Sequence, residues 1–259
     1  MFKNNRLTIS IATTILSIIG LITLQKNYYS NHLLTEDNIN YKQQEQKLKA
    51  KANFQKNMPS LGFNNLIADW AFLKYIQYFG DTEAREKVGY SVITDYFETI
   101  VNKDPRFIEA HFSLSTANSI FAGKPDRTVS LLETSLESIT PEMNSYPFLL
   151  FAYKATDEIL FLGDLDAAKK SYKQAARWAE MRGDETGEIM SNNYRKTIAF
   201  LNSNPDSTKT QISGWTMILQ NNQDPKVQQY ALKKIEKLGG IVTVNPNGQF
   251  KIESPGRAS

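Results

Sequence analysis

Cysteine is absent from this 259-residue chain, and histidine occurs only twice, as His32 and His111. Without thiols the chain can form neither a disulfide nor a thiolate metal site, and it lacks a cysteine for nucleophilic catalysis or for a lipid anchor. The two histidines lie far apart along the chain, which disfavours a shared metal site or a histidine-based catalytic site. We therefore expect no metal and no other cofactor.

Glycine is also scarce, and neither sign of charge is in large excess. The 13 glycines lie mostly at predicted helix ends, and they form no phosphate-binding loop, dinucleotide fingerprint or serine elbow. The 30 basic and 27 acidic residues leave a net charge of +3. Nucleic-acid binding needs a concentrated basic patch, which this balance does not indicate. We expect a protein that is not an enzyme and binds neither nucleic acid nor a small-molecule substrate.

One long apolar run stands near the start of the chain, from Leu7 to Leu24, without a charged residue. At about 1.5 Å per residue, a helix of this length nearly crosses the ~30 Å hydrocarbon layer of a membrane. A cleaved signal peptide is the alternative, but the following QKNYYSNHLL offers no small-residue cleavage site. We favour a transmembrane helix within residues 1–25, in a bacterial inner membrane or a thylakoid-type membrane.

The basic residues around this run predict its orientation. Lys3 and Arg6 precede it, and such residues favour the cytoplasmic side, although Lys26 weakens the asymmetry. We expect a single-pass protein whose large C-terminal domain is non-cytoplasmic. Residues 26–60 are polar, and Lys42 to Lys56 combines good helix formers with few apolar residues. This composition predicts a stalk, either a solvated helix or a flexible linker.

From residue 61 onward a helical pattern recurs. Apolar residues spaced by threes and fours predict helices that are separated by glycine and proline. The predicted helices are Asn64–Phe79, Lys87–Asn102, Phe107–Ala122, Pro125–Ile139, Tyr146–Leu162 and Asp166–Met181. This recurrence indicates three stacked helical hairpins over residues 61–182.

The third helix pair carries a recognisable spacing in its second helix. A glycine at the turn is followed by alanine, tyrosine and alanine at Gly163, Ala168, Tyr172 and Ala175. This pair resembles a tetratricopeptide repeat (TPR). The second pair matches with Gly123, Thr128, Leu132 and Ser135, where Thr128 and Ser135 replace the usual alanines. The first pair needs about seven extra residues between its helices relative to the ~34-residue repeat.

The C-terminal part is predicted to complete the fold. Residues 183–240 hold three more predicted helices, and we interpret them as a capping unit for the last repeat. Within residues 241–259, two short apolar segments flank Asn-Pro-Asn-Gly, which predicts a small β-hairpin. The predicted fold is all-α: a TPR-like α-solenoid of stacked helical hairpins, preceded by the transmembrane helix and followed by this hairpin.

Five residues on the first helices of the predicted pairs are candidates for partner binding. In stacked hairpins these helices line the concave surface, where a peptide or helix can bind. The candidates are Tyr75, Tyr78, His111, Tyr153 and Asp157. The alternative is ordinary packing between helices, which is the commoner role of aromatic residues at this spacing.

The resemblance implies a function in protein–protein interaction. Together with the predicted anchor, it indicates a scaffold or assembly factor for a membrane-associated complex. Two alternatives remain open at this point: an envelope enzyme with an all-helical domain, and a constitutive structural subunit of a membrane complex.

Overall fold

The computed structural model describes residues 13–26, 40–143, 146–245 and 250–255. These residues are mostly helical and include one two-stranded antiparallel sheet. The predicted helical class and the C-terminal hairpin are therefore confirmed. By compactness the chain divides into two units, Met1–Tyr41 and Lys42–Ser259.

In the first unit, residues 13–26 form a helix, α1. The hydroxyls of Ser17 and Thr23 donate to the carbonyls of Thr13 and Ile19, so these polar side chains are satisfied along the helix. Residues 7–12 of the predicted membrane span lie outside the described residues. Among the described residues, no helix has the combined length and apolar character that a membrane crossing requires.

The second unit contains helices in most of the predicted segments, although Phe107–Ala122 and Tyr146–Leu162 are each divided between an α-helix and a π-helical segment. Its α-helices are α2 (Tyr41–Asn57), α3 (Asn64–Gly80), α4 (Thr82–Val88), α5 (Ile93–Lys103), α6 (Ile108–His111), α7 (Pro125–Leu136), α8 (Phe148–Asp157), α9 (Leu165–Glu180), α10 (Glu185–Leu201), α11 (Thr208–Gln220) and α12 (Pro225–Lys237). Two segments are π-helical: π1 (Ser115–Phe121) and π2 (Glu158–Leu162). The strands are β1 (Ile241–Val244) and β2 (Phe250–Glu253).

The extra length of the first pair is explained by α4. Asp81 begins this seven-residue helix by accepting a hydrogen bond from the backbone of Ala84, and Gly89 ends it at a φ of 72°. A left-handed conformation of this kind favours glycine, which lacks a Cβ. The short helix separates α3 from α5, the two helices that pack as the first pair.

Helices that follow one another along the chain pack against one another. The main packed pairs are α3–α5, π1–α7, α7–α8, α8–α9 and α9–α10. The largest core cluster contains fully buried Phe97, Ile100, Leu114 and Leu132. Ala168 and Ala175 of α9 are fully buried, which lets neighbouring helices approach closely. The coarse picture of stacked helices is in agreement with the sequence pattern.

The C-terminal helices depart from this linear order. α10 packs on α9, whereas α11 packs mainly on α12, π2 and π1. A Cβ on Gly214 of α11 would lie 2.8 Å from the carbonyl oxygen of Leu160, so only glycine allows this approach. α10 thus contacts the second helix of the last predicted pair, and α11 contacts π2 at the end of its first helix and also reaches π1 of the second pair. The apolar face of α11, with Ile212 and Trp215, packs against Phe161 of π2.

The β-hairpin docks on this C-terminal pair. β1 lies against α12, and Val242, Phe250 and Ile252 pack on the core cluster that α11 and α12 share. An isolated two-stranded hairpin is only marginally stable, so this docking provides the apolar contacts that it needs.

Candidate protein-binding groove

Four of the five sequence-predicted binding residues are buried. Tyr75, Tyr78, His111 and Asp157 make their contacts inside the protein, and Tyr153 is half-buried. The structure does not bring the five together on an open surface. In this conformation a partner could reach only Tyr153 directly, so the binding role of the set stays a prediction.

Tyr78 and Glu45 join α2 to the first helix pair. The Tyr78 hydroxyl donates a 2.6 Å hydrogen bond to Glu45, and the Arg85 guanidinium lies 3.6 Å from the centre of the Tyr78 ring. Arg85 also pairs with Glu45 at 3.1 Å, and the Ser91 hydroxyl donates to the same carboxylate at 2.7 Å. Burial raises the pKa of Tyr78 well above its usual range, so this tyrosine stays a neutral donor.

Asp157 lies in a second buried polar network, where α8 passes into π2. The hydroxyls of Ser115 and Ser119 on π1 donate to its carboxylate at 2.7 and 2.6 Å. The Ser119 hydroxyl also bonds Thr128 of α7 at 2.8 Å, and Asn118 bonds Thr128 at 3.0 Å. The network thus joins π1, α7 and α8 through hydrogen bonds that are shielded from water.

Burial has the largest effect on the pKa of Asp157 in this network. It raises the pKa of Asp157 to about 7, against the lowering effect of the hydrogen bonds from Ser119 and Ser115. His111 is also fully buried, and burial lowers its pKa although its Nε2 lies 3.0 Å from the Pro105 carbonyl. Within the described ranges, no group of three or more His, Asp or Glu side chains is arranged to hold a metal ion.

One apolar face of α3 is exposed. Leu66, Trp70 and Leu73 have the spacing of a helix core stripe, yet they are 63%, 54% and 55% exposed. The buried face of α3 is instead made by residues of another register, Ile67, Ala68, Ala71, Tyr75 and Tyr78. The physical reason is that α3 is apolar nearly all round, so its hydrophobic periodicity cannot choose between two faces.

An open groove of about 470 Å³ lies between α2 and this exposed face of α3. Its wall on α3 includes Leu66 and Trp70, and its opposite wall includes Phe54 of α2 and Met58, which directly follows α2. Lys51 is the one charged side chain in its lining. The full lining is Lys51, Phe54, Gln55, Met58, Leu66, Ile67 and Trp70.

Polar contacts hold α2 in place as the second wall of the groove. Gln55 donates a 3.2 Å hydrogen bond to the backbone carbonyl of Ile67, and Lys103 donates to that of Met58 at 2.9 Å. Lys56 pairs with Glu98 on α5. Residues 42–58 were predicted as part of the stalk, but these contacts and the burial of Glu45 make α2 part of the compact unit.

The lining of this groove is mostly apolar and includes Lys51. A large apolar patch on the surface of a folded protein commonly marks an interaction site. Sequence inspection missed the groove because α2 has few apolar residues and was not expected to pack beside α3. The signal that could have found it is the helix α3, which has more apolar residues than one buried face needs.

No family model, curated protein or solved structure matches the chain.

Proposed function

We propose that this protein is a membrane-anchored, TPR-like scaffold or assembly factor that binds a partner protein through the α2–α3 groove. The observation that carries the proposal is the exposed stripe of Leu66, Trp70 and Leu73 beside the groove. Water contact with such side chains is unfavourable, and a partner that covers them removes it. Binding alone accounts for this role, and it requires no catalytic step.

The size of the stripe sets the scale of the binding energy. Complete burial of a large apolar side chain stabilises by about 1.5–3 kcal/mol, and roughly half of that remains available at each half-exposed position. Part of this gain is offset by the loss of motion when two proteins associate. We therefore expect moderate affinity, which suits a factor that must release its partner after assembly.

Support for the TPR-like architecture comes from the third helix pair. Gly163 adopts a left-handed φ of 67° at the turn between π2 and α9, as the repeat pattern requires of its glycine. Ala168 and Ala175 are fully buried at the positions where the repeat has small residues. Support for the anchor comes from the uncharged run Leu7–Leu24. An anchor would raise the local concentration of the groove for partners in the same membrane.

Site-specific photo-crosslinking in native membranes tests this proposal. We would place a photoreactive amino acid at Leu66 in the full-length protein and, as a matched control, at Ile189 of α10, which is 52% exposed. The expected result is a discrete protein adduct from position 66 alone. Trp70→Ser should abolish this adduct without lowering the melting temperature, because exposed substitutions change stability by only about 0.5 kcal/mol.

Equal adducts from positions 66 and 189 would contradict the proposal, because they would show that crosslinking reports exposure and not recognition. Mass spectrometry of the adduct then identifies the partner, and the purified partner should bind the wild type and fail to bind Trp70→Ser.

A further inference from the structure

We propose that the groove receives an amphipathic α-helix of the partner, with carboxylates along the edge of its apolar face. This inference rests on the proposed function, since it names the chemistry of the partner at the same groove. Three observations carry it: the spacing of the exposed stripe, the position of α3 in the helix stack, and the charge of the groove margins.

The spacing of the stripe suits a helix. Leu66, Trp70 and Leu73 form a ridge along two turns of α3, about 10 Å long. Apolar side chains at i, i+3 or i+4 and i+7 of a second helix would interdigitate with such a ridge. Met58 in the groove adds an unbranched, flexible side chain that adapts to its neighbours.

The position of α3 in the helix stack also favours a helix as the occupant of the groove. Among the helices of the repeats, α3 comes first, and its partner in the stack is α5. Each helix of a repeat array covers an apolar flank of the next, and the terminal flank needs a cover with a polar outer face. α2 covers only part of this flank, with Glu45 and Ala52 as its buried residues. An added amphipathic helix would complete the cover.

Lys51 lines the groove, and a further lysine lies near it on each of the two helices. Lys47 and Lys51 lie one turn apart on α2, both are exposed, and neither makes a salt bridge within the described parts of the chain. The one carboxylate of α2, Glu45, is buried against Arg85. On α3, Lys74 lies 4.9 Å from the centre of the Trp70 ring.

The nearest carboxylate on α3 does not cancel this charge. Asp69 precedes Trp70 and follows Leu66 by three positions, which places it on the edge of the stripe away from Ile67 and the groove. Acidic side chains on the partner helix would therefore meet Lys51 in the groove and Lys74 beside Trp70, a complementarity that favours one partner over another.

Two other occupants agree less well with these features. A second copy of this chain would bring the same lysines toward each other across the interface. A membrane surface is flat, and it would touch the ridge of α3 but not Ile67 and Met58, which lie lower in the groove and are largely buried.

Selection from a displayed peptide library tests the charge preference. The probe is a library of helical peptides of about 16 residues, roughly four turns, with a fixed Leu/Phe face. The positions that flank this face are randomised among Glu, Lys, Gln and Ala. Selection would use the full-length protein in nanodiscs of neutral lipid, with counter-selection on Trp70→Ser. We expect the recovered peptides to be enriched in Glu over Lys at the flanking positions.

A charge-reversal pair then tests the lysines directly. Lys47→Glu with Lys51→Glu should weaken binding of the best acidic peptide about ten-fold, and higher salt should reduce the difference. The matched control is Lys233→Glu with Lys237→Glu, two exposed lysines one turn apart on α12. It makes the same change in net charge, and it should leave binding unchanged.

The outcomes separate this inference from the proposed function. Peptides that require Trp70 but show no preference for Glu would overturn the acidic partner and leave the groove as a binding site. Absence of any Trp70-dependent peptide, together with absence of the crosslink at position 66, would overturn both. Quenching of Trp70 fluorescence by brominated lipid would assign the groove to the membrane, and Trp70-dependent self-association would assign it to a second copy. Either result would overturn the helix.

Discussion

Asp157 is the residue whose environment differs most from that of an ordinary carboxylate. It lies in the core between two serine hydroxyls, and burial raises its pKa to about 7. In the unfolded chain its pKa would be close to 3.9. Between these two values the folded protein holds a proton that the unfolded chain has lost. Stability must therefore fall as the pH rises through this window and level off above pH 7.

The variant Asp157→Asn tests this linkage, because an amide has the shape of the protonated acid and does not titrate. We expect the wild type to lose about 2–3 kcal/mol of unfolding free energy between pH 5 and pH 8 through this group. Asp157→Asn should lack this part of the pH dependence and be more stable than the wild type at pH 8. Urea unfolding at both pH values measures it.

The matched control is Asp126→Asn, which removes an exposed carboxylate on α7. Its pH profile should follow that of the wild type. Equal slopes for the wild type and Asp157→Asn would show that Asp157 titrates as an ordinary surface carboxylate.

The same network accounts for a polar residue at a position where the resemblance to the tetratricopeptide repeat leads us to expect alanine. Thr128 stands where the repeat usually has alanine, and its hydroxyl bonds both Ser119 and Asn118. Ser135 also replaces an alanine; it is buried, and its hydroxyl has no hydrogen-bond partner within the described structure. Sequence spacing revealed both polar residues but not the role of Thr128, because its partners Ser119 and Asn118 lie on another helix.

At the scale of single elements, α2 shows how polar contacts can dock a helix. Its sequence has few apolar residues, which is why it was predicted to be a solvated stalk. Its attachment depends on Glu45, which accepts hydrogen bonds from Tyr78 and Ser91 and pairs with Arg85. No sequence periodicity signals such an attachment, since the partners of Glu45 lie 33 to 46 residues away.

Glu45→Ala should detach α2 without unfolding the rest of the protein. The substitution leaves the Arg85 guanidinium and two hydroxyls buried without their carboxylate, and loss of one member of a buried pair destabilises by about 3–5 kcal/mol. Besides Glu45, Ala52 is buried on α2, and Gln55 and Lys56 contact α3 and α5 near its C-terminal end. Hydrogen exchange should become faster along α2 and remain slow in α9, where Ala168 and Ala175 are fully buried.

Gln46→Ala provides the control, since this neighbouring side chain is exposed. Faster exchange throughout α3, α5 and α9 in Glu45→Ala would contradict the expectation and make α2 integral to the core. If α2 alone is released, one wall of the groove is lost, and the crosslink from position 66 should disappear as well.

Helix ends were more predictable than helix faces. Glycine and proline at Gly80, Gly123 and Pro225 mark ends within a residue or a few of those observed, because their backbone limits act locally. The buried face of α3 is set by the space that its neighbouring helices leave. The small side chains of Ala68 and Ala71 fit this space, whereas Trp70 does not. The candidate groove therefore could not be read from periodicity alone.

At the scale of the molecule, the helices after α10 no longer pack in the order in which they follow one another along the chain. The α11–α12 pair returns to π1 and π2 and leaves Ile189 and Phe200 of α10 exposed. Close approach at Gly214 and the Phe161–Trp215 contact, with ring centres 5.8 Å apart, stabilise this arrangement. A sequence pattern built on neighbouring repeats cannot predict it, because the contacts join elements that are distant along the chain.

The proposed membrane anchor leads to a prediction about the orientation of the whole chain. An alkaline phosphatase reporter fused after Ser259 should be active, because Lys3 and Arg6 favour a cytoplasmic N-terminal side. Lys3→Glu with Arg6→Glu should reduce this activity by removing the asymmetry, whereas Lys26→Gln should preserve or increase it. A fluorescent protein at the same fusion site, which matures only in the cytoplasm, should give the opposite signals. Strong fluorescence from the wild-type fusion would place the groove in the cytoplasm and restrict its partners to that side.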